Sequence, residues 1–303
     1  MGFGTLGPLA RFASDVGFTA VSFAIWRATS SVIALVVFLA VGVALRKVPF
    51  TRLSSIPRSE WLQLAVMGVF VAGTTVSLFF AFERTTIATA LIVFYTFPAW
   101  VAIGAVPLFG EHLGLRKLAA IGLSGVGLVM LLAAPTEGGG GIDPIGVALA
   151  LVASLCQTGF ALVGAGGFRS VPPLQSAALL RLFSAAIYGV LLVPLLIILG
   201  QGSTITDPLG STEAWALILT AGVIGAAIPA VLIIAGYRRV GPTRGAVLML
   251  VEPVTGAFLA ALLLAEQPTP VQLAGGVLVL VGAALVQLTP VSKPGATAPA
   301  TAE

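Results

Sequence analysis

The chain of 303 residues is 58% hydrophobic and only 9% charged, with a mean hydropathy of +1.10. A soluble domain carries about 25% charged residues, so this composition excludes one and describes an all-α integral membrane protein. One cysteine (Cys156) excludes an internal disulfide, one histidine (His112) excludes any site needing two, and no lysine completes a G-x-x-x-x-G-K phosphate loop.

A membrane-crossing helix needs about 20 predominantly apolar residues. In chain order, such runs fall at 1–14, 20–45, 61–82, 86–108, 118–134, 144–167, 174–199, 214–236, 244–265 and 271–289, which makes ten. The first is short. Glycine clusters such as Gly122-Leu-Ser-Gly-Val-Gly127 and Gly275-Gly276 predict close helix packing. The stretch 135–143, with four consecutive glycines, reads as a flexible linker near the middle, and the tail 290–303 reads as disordered.

With the N-terminus inside, the cytoplasmic loops hold Arg46, Lys47, Arg52, Arg58, Arg116, Lys117, Arg169, Arg238, Arg239, Arg244 and, in the tail, Lys293. That is 11 of the 15 Lys and Arg; the external side receives only Arg11 and Arg84, while Arg27 and Arg181 lie within helices. The positive-inside rule therefore places both termini in the cytoplasm, in the cell membrane. The pI near 9.7 reports this orientation rather than nucleic-acid binding.

The chain also repeats itself. At an offset of 154, Ser22, Arg27, Ser30, Trp61, Gly68 and Arg84 fall on Ser176, Arg181, Ser184, Trp215, Gly222 and Arg238. At 155, Pro98, Glu111 and Gly127 fall on Pro253, Glu266 and Gly282, so one residue is inserted near 240. Matching Arg, Trp, Pro and Glu in order is beyond what apolar composition produces. Each copy, 1–134 and 144–289, holds five helices. Five is odd, so the second copy enters the membrane upside down, the plan of many secondary transporters. Compared with the sixth helix, the first looks cut short at Met1.

Few polar residues lie at depth. Glu252 is about the ninth residue into its run, roughly 12 Å from the cytoplasmic side. A charge there costs about 2.5–3.5 kcal/mol on insertion scales and normally faces a protein interior or cavity. Two roles fit Glu252: a protonatable or substrate-binding group facing a cavity, or a buried carboxyl tied into packing. Pro253 after it, and Pro98 in the first copy, each free a backbone carbonyl one turn earlier. Arg181 and Arg27 lie at about 10 Å from opposite sides; each is a cavity cation, a structural partner or a snorkelling side chain. Gln157 is a polar candidate near mid-depth. Trp26, Tyr95, Trp100, Tyr188 and Phe160 line an aromatic cavity or belong to an interfacial belt. Glu111 and Glu266 stand at helix junctions, where a carboxylate satisfies free amides and the positive helix end.

The stretches 22–35 (SFAIWRATSSVIAL), Phe94-Tyr-Thr-Phe-Pro98, Phe109-Gly-Glu-His-Leu113 and 251–269 (VEPVTGAFLAALLLAEQPT) resemble the drug/metabolite transporter superfamily, in particular its EamA-type ten-helix members. The resemblance covers nearly all of residues 1–289, and its most specific part is the Pro-then-Glu spacing present in both halves. It implies an inverted five-plus-five fold around a central cavity, and export or exchange of small metabolites such as amino acids by alternating access.

Rival classes fit less well. An enzyme or metal site wants clustered His, Asp and Glu, but Asp15, Asp143 and Asp207 all lie in or near loops. No cofactor motif is present. A channel or facilitator without ion coupling is the alternative, although no re-entrant filter segment is visible. The expected partners are the lipid bilayer and a small-molecule substrate.

Overall fold

A computed structural model describes residues 9, 12, 13, 15–85, 87–132, 143–165, 167, 168, 170–255 and 269–287. The linker core 135–142, Glu266, the tail 290–303 and most of the run 1–14 lie outside them. Among the described residues the ordered elements are all helical, without a strand. The first five helices are α1 (Ala20–Ala44), α2 (Arg58–Arg84), α3 (Ile87–Phe94), α4 (Phe97–Phe109) and α5 (Leu115–Leu132). They are followed by α6 (Pro144–Ala165), α7 (Pro173–Ile187), α8 (Val193–Ile198) and α9 (Ser203–Thr206). The last are α10 (Thr212–Gly222), α11 (Ile228–Val240), α12 (Pro242–Met249) and α13 (Pro270–Gln287).

Among the described residues, six segments are long and apolar enough to cross a membrane: Val21–Ala44, Arg58–Phe82, Thr89–Phe109, Pro144–Ala165, Pro173–Ile198 and Thr212–Val240. Pro270–Leu285 is a shorter apolar helix. Large apolar side chains such as Ile33, Leu62, Ile103, Val190 and Leu232 stay exposed, which suits a lipid-facing surface and would be a liability in water.

Local sequence explains the starts and interruptions. Thr19 and Ser22 form a capping box at α1, with Thr19 N donating to Ser22 Oγ at 3.0 Å and Ser22 N to Thr19 Oγ1 at 3.2 Å. Proline opens α6, α7, α12 and α13, where its missing N–H has no intrahelical partner to lose. Inside a helix the same residue disrupts the ladder. Pro194 and Pro229 each follow a π-helical turn, Tyr188–Leu192 and Val223–Ala227, which carry α7 into α8 and α10 into α11. The residue inserted near 240 falls at the joint between α11 and α12, where Gly241 takes φ +80°, a backbone region that favours glycine.

Two of the apolar runs read as single helices are broken. The run 86–108 turns at Tyr95–Thr96, between α3 and α4. The run 244–265 turns at Leu250, after α12, with residues 251–255 helical again. Subtracting 155 from Leu250 gives Tyr95, so the two breaks occupy matching positions. A proline stands three residues after each matching position: Pro98 after Tyr95 and Pro253 after Leu250.

Several close helix contacts are reciprocal. Helix α2 packs on α7, and α10 on α1. A Cβ at Gly68 would meet Phe183 Cβ at 2.6 Å and Ser184 N at 3.5 Å; one at Gly222 would run into Ser30 and meet Ser31 N at 3.0 Å. Ser184 and Ser30 are themselves 154 apart, as are Gly222 and Gly68. The same exchange joins α5 and α13. Gly127 lies against Gly275 O and Val279 N, and Gly282 against Ala120 O and Ser124 N; all of these pairs differ by 155. A contact and its partner-swapped copy are what a two-fold axis generates. The glycine clusters do less than their sequence suggests: beside Gly122 and Gly125 there is open space, and only Gly127 of that group admits a close neighbour.

Candidate functional site

The two helix breaks deliver Tyr95 and Glu252 into one buried region. Glu252 is 3% exposed, and Tyr95 and Gln157 are buried. Glu252 lies within electrostatic reach of Tyr95, Tyr237 and Arg27. Helix α6 contributes Gln157 and Phe160. Gln157 Nε2 points at Met249 Sδ at 3.9 Å, and Tyr237 OH donates to the same sulfur at 3.1 Å. The Phe160 and Tyr237 rings meet edge to face, with centroids 6.3 Å apart. Tyr95 packs on Phe94 and Phe97 at 5.0 and 6.2 Å. The result is a carboxyl group within reach of two phenols, one of which shares the Met249 thioether with the Gln157 amide, with aromatic walls.

The intramembrane arginines border this region. Arg27 on α1 is 6% exposed. It lies within electrostatic reach of Arg181, Tyr188 and Glu252. Arg181 on α7 makes a long contact from Nη2 to Ala226 O, 3.5 Å, inside the π turn 223–227, while its buried Nε has no hydrogen-bond partner. Tyr188 lies beside Thr75. Arg27 is a cation within reach of Glu252.

The chain has three tyrosines, Tyr95, Tyr188 and Tyr237, and all three are buried in this region. Sequence reasoning missed Tyr237 and Met249. Tyr237 precedes Arg238 and Arg239 and looks like an interfacial belt residue, yet it is buried. The tryptophans go elsewhere. Trp26 packs edge-on against Trp215 at 5.9 Å and donates its indole N–H to Ile205 O at 2.8 Å, in an outer apolar cluster with Phe18, Phe23 and Ile218. Trp100 is 40% exposed and bridges back across the break to Thr96 Oγ1 at 3.2 Å. Glu111 pairs with Lys117 at 2.7 Å, joining the end of α4 to the start of α5.

A polar clasp closes one end of the molecule. Gln175, 1% exposed, accepts from Thr51 N at 2.9 Å and donates to Thr51 O at 2.7 Å. Glu60 accepts from Ser170 N at 3.1 Å and Ser170 Oγ at 2.6 Å, and Thr51 Oγ1 donates to Ser170 O. Gln63 Nε2 donates to Val163 O at 2.8 Å. Every one of these bonds joins the first half to the second. At the positions equivalent to Gln63 and Val163 lies a groove of about 370 Å³, lined by Leu9, Phe12, Asp15, Glu213, Leu217 and Thr220. Among the described residues, one end is tied by hydrogen bonds and its counterpart holds this groove.

A family profile matches the chain twice, over residues 1–133 and 144–288. The chain belongs to the EamA-like transporter family. It is therefore a multi-pass membrane transporter. The EamA-like chain is 24% identical over 216 residues to a protein of Archaeoglobus fulgidus named an uncharacterized transporter, covering 71% of this chain and 73% of that one. It shares its fold with a protein of known crystal structure at TM-score 0.71, with 22% identity, covering 95% of this chain and 94% of the other.

Proposed function

We propose that the protein is a secondary transporter of small metabolites, such as amino acids, working as an exporter or exchanger in the cell membrane by alternating access. Its ten helices form two inverted five-helix repeats, 1–134 and 144–289, joined by 135–143, with both termini cytoplasmic. The observation that carries this reading is the pair of helix breaks at Tyr95–Thr96 and Leu250, at matching positions of the two halves, with Glu252 beside one of them. Discontinuous helices at equivalent positions supply unwound backbone at the bilayer midplane, where secondary transporters bind substrate and coupling ions. The reciprocal glycine contacts support the inverted repeat, and so does the twofold match of the family profile.

Rocking of one group of helices against the other alternately opens the two ends. The clasp of Thr51, Glu60, Ser170 and Gln175 supports a state closed on the cytoplasmic side. Glu252 faces the central region, and its protonation or its partner changes during the cycle. The absence of a phosphate loop in the sequence favours gradient-driven transport over ATP-driven transport. Counterflow in proteoliposomes tests the reading. A preloaded metabolite mixture should drive saturable uptake of its labelled members without ATP. Flux that is linear in concentration would instead mark a channel or facilitator, and a requirement for ATP would refute secondary transport.

A further inference from the structure

Helix α1 packs on α10 and on the π-helical turn Val223–Ala227. Past that turn a groove of about 190 Å³ opens between α1 and the start of α11, lined by Leu35, Phe38, Ala227, Ile228, Val231 and Leu232. Every one of these side chains is apolar. Phe38, Ile228 and Leu232 are exposed, so the groove belongs to the surface that suits lipid rather than to the central region around Glu252. Gly236, one turn past Leu232, faces open space.

Both walls of the groove lead to cations at the same end of the molecule. Ile228, Leu232 and Arg239 follow one another at spacings of four and seven residues, on one face of α11. Leu35, Phe38 and Gly42 share a face of α1 in the same way. The chain then folds back onto that face: a Cβ at Gly42 would meet Val48 Cγ2 at 2.7 Å. Arg46 and Lys47 form this turn. Both are exposed, as is Arg239, and the sequence holds no Asp or Glu between Asp15 and Glu60. Eight residues separate Phe38 from Arg46 and seven separate Leu232 from Arg239, about 10–12 Å at 1.5 Å per residue. One leaflet of a hydrocarbon core about 30 Å thick is about 15 Å deep. An acyl chain whose headgroup lies at these cations therefore reaches the groove.

The backbone at Arg46 is a second, independent mark. Its φ is +54°, the one positive value at a non-glycine among the described residues. Arg46 N donates to Val43 O and Lys47 N to Gly42 O, each at 2.9 Å. This pair of bonds is the Schellman closure of a helix, and the residue at that position is usually glycine. A side chain is strained there, and strain retained at a basic residue points to a task for that side chain. Farther along the loop, Thr51 is bonded to Gln175 and Ser170, and Ile56 is buried, which holds the loop in place.

We propose that the cleft between α1 and α11 binds an anionic phospholipid, with one acyl chain in the groove past Phe38 and Leu232 and the phosphate on Arg46, Lys47 and Arg239. The orientation proposed above enters only in assigning that lipid to the cytoplasmic leaflet. A phosphodiester supplies oxygens that accept charge-assisted bonds from guanidinium and ammonium groups, and basic pockets between membrane helices on the cytoplasmic side suit anionic headgroups. A zwitterionic headgroup brings an ammonium of its own against three cations. A second copy of the chain seated here by a two-fold axis brings three more cations against these three.

The test uses purified full-length protein in a neutral detergent and thermal stabilisation by added lipid, since a ligand that binds only the folded state raises Tm. The probes are dioleoyl phosphatidylglycerol, phosphatidylcholine with the same chains, and glycerol 3-phosphate as the headgroup alone. Phosphatidylglycerol should stabilise at a lower mole fraction than phosphatidylcholine, and glycerol 3-phosphate should not stabilise. Each cation near an anionic lipid surface is worth roughly fivefold in affinity, so Arg46→Gly should weaken phosphatidylglycerol binding about fivefold. Without lipid the same variant should melt no lower than wild type, because glycine takes the left-handed backbone without strain. Leu232→Trp should fill the groove and weaken phosphatidylglycerol binding with charge unchanged. Arg116→Gln, which removes an exposed cation at the start of α5, should leave it unchanged. The inference is overturned if phosphatidylcholine stabilises equally, if glycerol 3-phosphate binds as well as the lipid, if Arg116→Gln weakens binding as much as Arg46→Gly, or if Leu232→Trp binds phosphatidylglycerol normally. A Leu232→Trp variant that changes oligomeric state and keeps its lipid affinity would overturn it too, and would give this face to a second copy. Lipid binding is read without flux, so its outcome is separate from that of the transport reading.

Discussion

Adding one methyl group to the seam between α5 and α13 tests the reciprocal packing directly. A Cβ at Gly127 would stand 2.6 Å from Gly275 O, 2.8 Å from Leu278 Cβ and 2.8 Å from Val279 N. These lie roughly 0.7–0.9 Å inside the ~3.5 Å separation that non-bonded heavy atoms prefer. Two of the three neighbours are backbone atoms, so no rotamer change relieves the clash and α13 must move as a unit. A gap of 0.5–1 Å forfeits about a quarter to a half of each contact's attraction along the seam, and overpacking of this kind costs about 1–3 kcal/mol. Gly282→Ala meets the mirror-image obstacle, Ala120 O at 2.8 Å and Ser124 N at 3.1 Å, plus the Ser124 side chain. A Ser124→Ala background removes that hydroxyl, and the two glycine variants should then approach the same cost. Thermal unfolding in one detergent should show both losing several degrees, while Gly125→Ala, which faces open space, should lose none. Wild-type stability for Gly127→Ala, or a loss as large for Gly125→Ala, would refute the packing argument.

Glu252→Gln should fold normally, lose the pH dependence of flux and keep exchange; unchanged flux at every pH would remove its coupling role. If the carboxylate serves only as a buried partner of Arg27, the same variant should instead be destabilised, by about 3–5 kcal/mol for an uncompensated buried charge, with recovery on adding Arg27→Leu. Gln175→Ala removes two hydrogen bonds to Thr51 from a buried position, so it should cost about 2–3 kcal/mol in thermal or denaturant unfolding, and it should speed labelling of a cysteine placed at Ser170. Topology is checked with single cysteines at 54 and 140 in a Cys156→Ser background: an impermeant outside reagent should label 140 and spare 54.

The sequence alone determined that the chain lives in a membrane and is helical there. Lipid offers no hydrogen bonds, so each crossing must satisfy its own backbone and declares itself as a long apolar run. The internal repeat was legible because Arg, Trp, Pro and Glu are rare enough in such runs for their order to carry information. Counting residues along helices gave the expected depth of Glu252 and the two arginines.

Tertiary structure decided which of these residues meet. Arg27 comes within reach of Glu252 across more than two hundred positions of chain. Tyr237 and Met249 join Gln157 and Glu252 only because α11 and α12 fold back beside α6. Trp26 is drawn away to Ile205 and Trp215, although it neighbours Arg27 in the chain. Periodicity assigns a residue its depth and its helix, but partners depend on how helices pack. In a chain whose helix surfaces are nearly all apolar, the pattern of polar and apolar residues does not say which face meets which. The small contacts settle that choice: Gly68 under Ser184, Gly222 under Ser30, and Gly127 against Gly275 bring backbones close enough to fix the helix pairs, and the deep polar side chains are brought together as a consequence.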